Sequence, residues 1–137
     1  ITNYANQYLI AFIDDCSRYV PSASLCLEAT TDNLLETLQE ALSNGRTPKQ
    51  ILSDHGTQYW SNDGPGRFTN FCETHGIEHI QGSIGKPTTQ GKIERFFQTF
   101  TAYYPRFNDM TEFLEHYNNV KPHRSLNFLT PAEVYYA

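Results

Sequence analysis

A chain of 137 residues with a formal charge of −5 has the size of one domain, residues 1–137, and can bury a core without staples. Its three cysteines (Cys16, Cys26, Cys72) cannot all pair and show no CxxC spacing, and its five histidines are scattered, so a disulfide scaffold is excluded and a zinc site is disfavoured. There is no run of about 18 apolar residues and no signal-peptide pattern, which predicts a soluble, cytoplasmic domain with no membrane partner. The acidic balance counts against a surface that grips nucleic acid unaided, because such domains are usually basic.

Residues 8–13 are apolar and rich in strand formers, and 19–27 form a second such run. Asp14-Asp15-Cys16-Ser17 supplies turn chemistry between them, which predicts an antiparallel hairpin. Leu34, Leu35, Leu38, Ala41 and Leu42 then recur at helical spacing, with capping residues at 31–33 and a stop at Gly45 and Pro48. A short strand is expected over 49–53, a helix over 68–75 stopped by Gly76, and another strand over 77–80. The stretch 81–89 holds two glycines, a proline and small polar residues and reads as a mobile loop.

From Thr89 onward the pattern is helical again. Ile93, Phe97, Phe100 and Tyr104 share an apolar stripe, with Gln90, Glu94, Gln98 and Thr101 on a polar strip beside it, so Glu94 is expected to border the core side rather than point into open solvent. Lys92, Arg95 and Thr99 are expected on the outer side. Asp109 with Glu112 predicts a capped helix through Tyr117, and Thr130-Pro131-Ala132-Glu133 a better capping box with proline at the first position. The order β-β-α-β-α-β-α-α-α suggests an α/β domain with a mixed central sheet flanked by helices.

Two acids stand in distinctive frames. Asp54 closes the strand-like Gln50-Ile51-Leu52-Ser53 and is followed by His55-Gly56, so a fixed strand delivers a carboxylate while glycine lets the backbone turn away. Glu94 lies in Gln90-Gly91-Lys92-Ile93-Glu94-Arg95, on the long helix. Paired hard oxygen ligands on two rigid elements suit a divalent-cation site acting on phosphodiesters, with Mg²⁺ or Mn²⁺ favoured over zinc.

These frames resemble the DDE catalytic core of retroviral integrases and insertion-sequence transposases, and the resemblance runs along the whole chain in the right order. It rests on residues 8–20 (YLIAFIDDCSRYV), 53–60, 82–97 and 117–134 (YNNVKPHRSLNFLTPAEV). It implies a ribonuclease-H-like fold, metal ligation by Asp54 and Glu94, and cleavage of DNA followed by 3′-hydroxyl transfer by a homodimer or higher oligomer. In this register the family's first acid falls immediately before Ile1. Asp14, at the hairpin turn, is the alternative third acid, against a plain reading as turn chemistry. Gln90 matches a loop-end glutamine that contacts DNA in such enzymes. Lys86, Lys92, Arg95, Lys121 and Arg124 are candidate phosphate contacts, each weighed against an ordinary solvated charge. Gln98 and Thr101 occupy places where retroviral members carry DNA-facing lysines, and His55 stands where Asn is usual. The resemblance also places the domain at a prokaryotic nucleoid. The rival reading is a non-catalytic module of the same fold used for dimerisation or partner binding, and a ribonuclease H or resolvase relative fits less well.

Overall fold

The structure is a computed structural model that describes residues 1–53, 60–61, 64–82 and 87–137, with backbone alone for 60, 61, 64, 65 and 87. Strands β1 (Thr2–Tyr4), β2 (Gln7–Phe12) and β3 (Ser22–Cys26) form an antiparallel sheet in the order β1-β2-β3. Thr2 pairs with Leu9 and Tyr4 with Gln7, so β1 and β2 are joined by Ala5 and Asn6, both at positive φ (45° and 66°). That geometry matches the twist of a two-residue hairpin. Strand β4 (Gln50–Ser53) pairs in parallel with β7 (Glu78–Gln81), and β5 (Trp60–Ser61) pairs antiparallel with β6 (Gly64–Pro65). Both antiparallel and parallel ladders are therefore present.

Alternation along β2 explains the layering. Leu9 and Ile10 are both fully buried, yet they enter different clusters, because successive strand side chains point to opposite faces. Ile10 packs with Leu34 and Leu38 of α1 (Thr31–Asn44), Ile51 of β4, and Phe68 and Cys72 of α2 (Arg67–Thr74). Leu9 packs on the other side with Phe96 and Phe100 of α3 (Pro87–Tyr103), Phe113 of α4 (Met110–Glu115) and Tyr117. The sheet is thus covered by helices on both faces.

The expected helices and main strands are present, with ends moved by a residue or a few. The N-cap of α1 is Thr30, whose hydroxyl accepts from the Asn33 N–H at 3.2 Å. Gly76 ends α2 at φ 73°, and the capping box of Thr130 and Glu133 opens α5 (Pro131–Tyr135). Gly45 has extended backbone instead; a Cβ there would come within 2.8 Å of the Tyr135 hydroxyl, so close packing of α5 selects glycine. The helix expected through Tyr117 widens into a π turn over His116–Val120, and both Tyr117 and Asn118 are buried there. Strands β5 and β6 have no counterpart in the expected order, being two residues long and lacking an apolar run, whereas β1 stands before the hairpin, where the resemblance places the first strand. Of the stretch expected to be mobile, Gln81 lies in the β7 ladder, Gly82 donates to the Ser53 carbonyl at 2.7 Å and 87–89 open α3, while 83–86 lie outside the described residues. All three thiols are free, and burial pushes that of Cys72 up to about 11.

Candidate active site

The candidate site is built where β2, β4 and β7 end and α3 begins. Parallel register sets Ile51 beside His79 and Ser53 beside Gln81. Ser53 is held there by the Gly82 N–H on its carbonyl and by His79, whose Nε2 lies 2.7 Å from the Ser53 hydroxyl. Asp54 follows directly in the chain and, like Lys86 and His55, lies outside the described residues, so its separation from Glu94 does too. The side chain of Trp60 lies outside them as well.

A cavity of about 530 Å³ runs from Leu38 and Tyr135 along β2 and β4 to this edge, where its lining includes Asp14 and Asp15 after β2, Ser53 at the end of β4, Gly82 after β7, and Gln90 and Ile93 on α3. Glu94 does not border the core side as expected: with the buried stripe of α3 running through Phe96 and Phe100, it sits one turn beyond Gln90, exposed, with no hydrogen bond or ion pair among the described residues. Gln90 and Arg95 are exposed as well. The deeply buried residues of α3 are Phe96 and Phe100, which leaves Ile93 and Phe97 at the margin of the core.

Lys92 departs from its expected place. It does not project outward: its Nζ donates to the Asp15 carbonyl at 2.6 Å and meets the Asp15 carboxylate at 3.1 Å, and its side chain is 18% exposed. The reason is geometric. Lys92 lies one turn before the buried Phe96, so its stem covers the packed face and its ammonium reaches the β2–β3 turn.

Asp14 takes the turn role. Its carboxylate accepts from the Ser17 N–H at 2.8 Å and the Ser17 hydroxyl at 2.7 Å, and its carbonyl accepts from the Arg18 N–H. Arg18, at φ 64°, donates to the Ser125 hydroxyl and so ties this turn to the closing segment.

The basic cluster near the C-terminus divides. Lys121 places its Nζ 4.5 Å from the centroid of the Tyr103 ring, and Arg106 lies 5.0 Å from the same ring. Arg124 is exposed. His123 turns inward, edge-on to Tyr117 with centroids 4.9 Å apart, and burial lowers its pKa. Sequence reading missed Asp15 as the Lys92 partner and His79 as a neighbour of Ser53. These pairs are 77 and 26 residues apart, and no local pattern signals them.

Comparison with known proteins fits this arrangement. The family described as "Integrase core domain" matches residues 1–87, a stretch that includes Asp54 and stops before Glu94. An uncharacterized protein of Caenorhabditis elegans is 30% identical over 137 residues, covering 94% of this chain and 10% of its own length. A putative transposase, InsK of insertion element IS150 from Escherichia coli, is 28% identical over 96% of this chain and 49% of its own length. This chain therefore spans a tenth to about half of these relatives. Among solved structures, the catalytic core of BIV integrase superposes with a TM-score of 0.81 at 20% identity, covering 98% of this chain and 89% of that one. The HTLV-2 integrase core, solved in complex with magnesium in dimeric and trimeric forms, gives 0.64 at 17% identity over 94% of this chain and 93% of its own in the trimeric form. With helices on both faces of the β1-β2-β3 sheet and a family match over well over half its length, this chain belongs to the integrase core domain family.

Proposed function

We propose that this domain is the catalytic core of a DDE-type integrase or transposase, which hydrolyses a DNA phosphodiester and then joins the freed 3′-hydroxyl to a target phosphodiester, displacing the 3′-oxygen of the target strand. The observation that carries the reading is Glu94: an exposed carboxylate without a partner among the described residues, on a rigid helix beside the cavity that Ser53 lines. An all-oxygen pair, Asp54 and Glu94, fits Mg²⁺ or Mn²⁺, and no cation among the described residues engages Glu94. Asp14 fits less well as a third ligand, since its carboxylate is already engaged by Ser17. Bound divalent cations would activate the attacking oxygen and stabilise the leaving one.

The chain's own residues do the positioning. Gln90 presents an amide at the rim of the cavity and Arg95 a cation on the same helix, both open to a DNA strand. Lys92 holds the start of α3 against the β2–β3 turn and so steadies Glu94. Lys121 and Arg106, gathered on Tyr103 without a carboxylate partner among the described residues, offer a separate phosphate contact; Arg124, which is exposed, and Lys86 are kept as further candidates from the sequence. With a net charge of −5 the grip on DNA is weak, so function relies on a homodimer or higher oligomer to add contacts.

The test is strand cleavage by the full-length protein with Mn²⁺, beside Mn²⁺ binding to this chain. Asp54→Asn and Glu94→Gln should each lower cleavage by about 1,000-fold, equivalent to about 4 kcal/mol, and weaken Mn²⁺ binding, whereas Asp14→Asn should leave binding unchanged. Cleavage at the parent rate in either of the first two variants would overturn the assignment.

A further inference from the structure

His79 is bonded through both ring nitrogens to hydroxyls on two other elements. Nε2 lies 2.7 Å from Ser53 Oγ at the end of β4, and Nδ1 lies 2.7 Å from Thr69 Oγ1 in the first turn of α2. The edge of the Phe68 ring closes one side of the imidazole, with centroids 4.8 Å apart and planes at 76°. Burial lowers the His79 pKa, so the ring is neutral near pH 7. A neutral imidazole offers one donor and one acceptor, and hydroxyls serve as either, so both bonds form in whichever tautomer is present.

The consequence falls on Ser53. The last residue of a four-residue strand would ordinarily be the first to fray. Here its backbone is in register with Gln81, its carbonyl accepts the Gly82 N–H and its hydroxyl is fixed to His79. Through Thr69 the same imidazole joins that point to α2. Ser53 immediately precedes Asp54, and a metal-binding carboxylate must be held to within about 0.5 Å by its surroundings.

We propose that His79 is a positioning residue for Asp54: the Ser53–His79–Thr69 clamp fixes the backbone from which that carboxylate is presented to the cation. The proposal rests on Asp54 being a ligand and deepens that reading by naming what holds it. His79 itself touches neither cation nor DNA in this role.

The experiment is Mn²⁺ titration of the 137-residue chain, followed calorimetrically, with urea unfolding of each variant measured without metal. Ser53→Ala removes one hydroxyl and little volume, and His79→Leu removes both bonds. Each should weaken Mn²⁺ binding about 10-fold under conditions where the variant is fully folded. The double variant should be no worse than the more affected single one, because both changes break one clamp. Ser53→Thr, which restores the hydroxyl, should recover parental affinity, a result that a general loss of stability would not produce. Asp54→Asn is the reference. If it binds Mn²⁺ like the parent, the ligand assignment itself fails. If it loses binding while Ser53→Ala and His79→Leu keep it, the clamp has no positioning role and the ligand assignment stands. Additive losses in the double variant would also overturn the clamp. Should His79→Leu fail to fold, Ser53→Ala and Ser53→Thr decide the matter between them.

Discussion

The closing segment after α4 and the opening turns of α3 are both rich in polar residues, yet the protein uses most of them in opposite ways. In the closing segment four polar side chains, leaving aside the cations Lys121 and Arg124, are engaged within the fold. Asn118 is buried and pairs with both the N–H and the carbonyl of Val20, each at 2.9 Å; His123 packs on Tyr117; Thr130 caps α5; Ser125 accepts from Arg18. On α3, Gln90, Glu94 and Arg95 are exposed and make no hydrogen bond or ion pair among the described residues. Both stretches belong to the same family resemblance. Its motifs therefore mix two kinds of residue, those that close the fold and those left open for a ligand, and hydrogen-bond satisfaction separates them.

That separation is tested first on the unfolding free energy of the core-facing side. Phe96 is fully buried on α3, with its ring 5.0 Å from Tyr117 and 6.2 Å from Phe113. Phe96→Ala should cost about 3–5 kcal/mol in urea unfolding, a large share of the roughly 5–15 kcal/mol that holds a typical domain together. A loss below about 1 kcal/mol would mean that α3 is not docked through this face.

Asn118→Leu comes next. The side-chain amide acts as an added rung for Val20, and leucine keeps the volume while leaving a buried N–H and carbonyl unpaired. A cost of about 2–6 kcal/mol is expected, at about 1–3 kcal/mol for each orphaned group. Neutral behaviour would return Asn118 to the open class and make it a candidate contact for DNA.

How much of this was legible in the sequence depends on the range of the interactions. The hairpin of β2 and β3, the helices and the capping box at Thr130 follow from periodicity and turn chemistry within a few residues, and they stand where expected. The turn role of Asp14 is equally local, since its partner Ser17 is three residues away. What could not be read joins distant parts of the chain. Lys92 looked solvated because Asp15 is 77 residues earlier, and the Asn118 bridge to Val20 spans 98 residues. His79 has the look of an ordinary strand residue until the parallel pairing of β4 and β7 sets it beside Ser53. For the candidate site, Glu94 and Gln90 were found through their family frame, and the structure adds their exposure and the cavity at their side.

The smallest expected effect on stability is at Glu94, and it sharpens the comparison most. Glu94→Gln keeps the length and nearly the helix propensity of the side chain. Its neighbours one turn away are Gln90 and Gln98, so no ion pair along the helix is lost. Without metal the variant should unfold within about 0.5 kcal/mol of the parent, as surface changes usually do. With Mn²⁺ the two should part. A cation that binds only the folded state stabilises it by RT ln(1 + [L]/Kd), about 1.4 kcal/mol at ten times Kd, and Glu94→Gln should forfeit most of that gain. Thermal unfolding at rising Mn²⁺ concentration reads this directly. Parallel Mn²⁺ shifts in parent and variant would place Glu94 among ordinary solvated helix charges, and an unsatisfied carboxylate would then no longer distinguish the site from the rest of the surface.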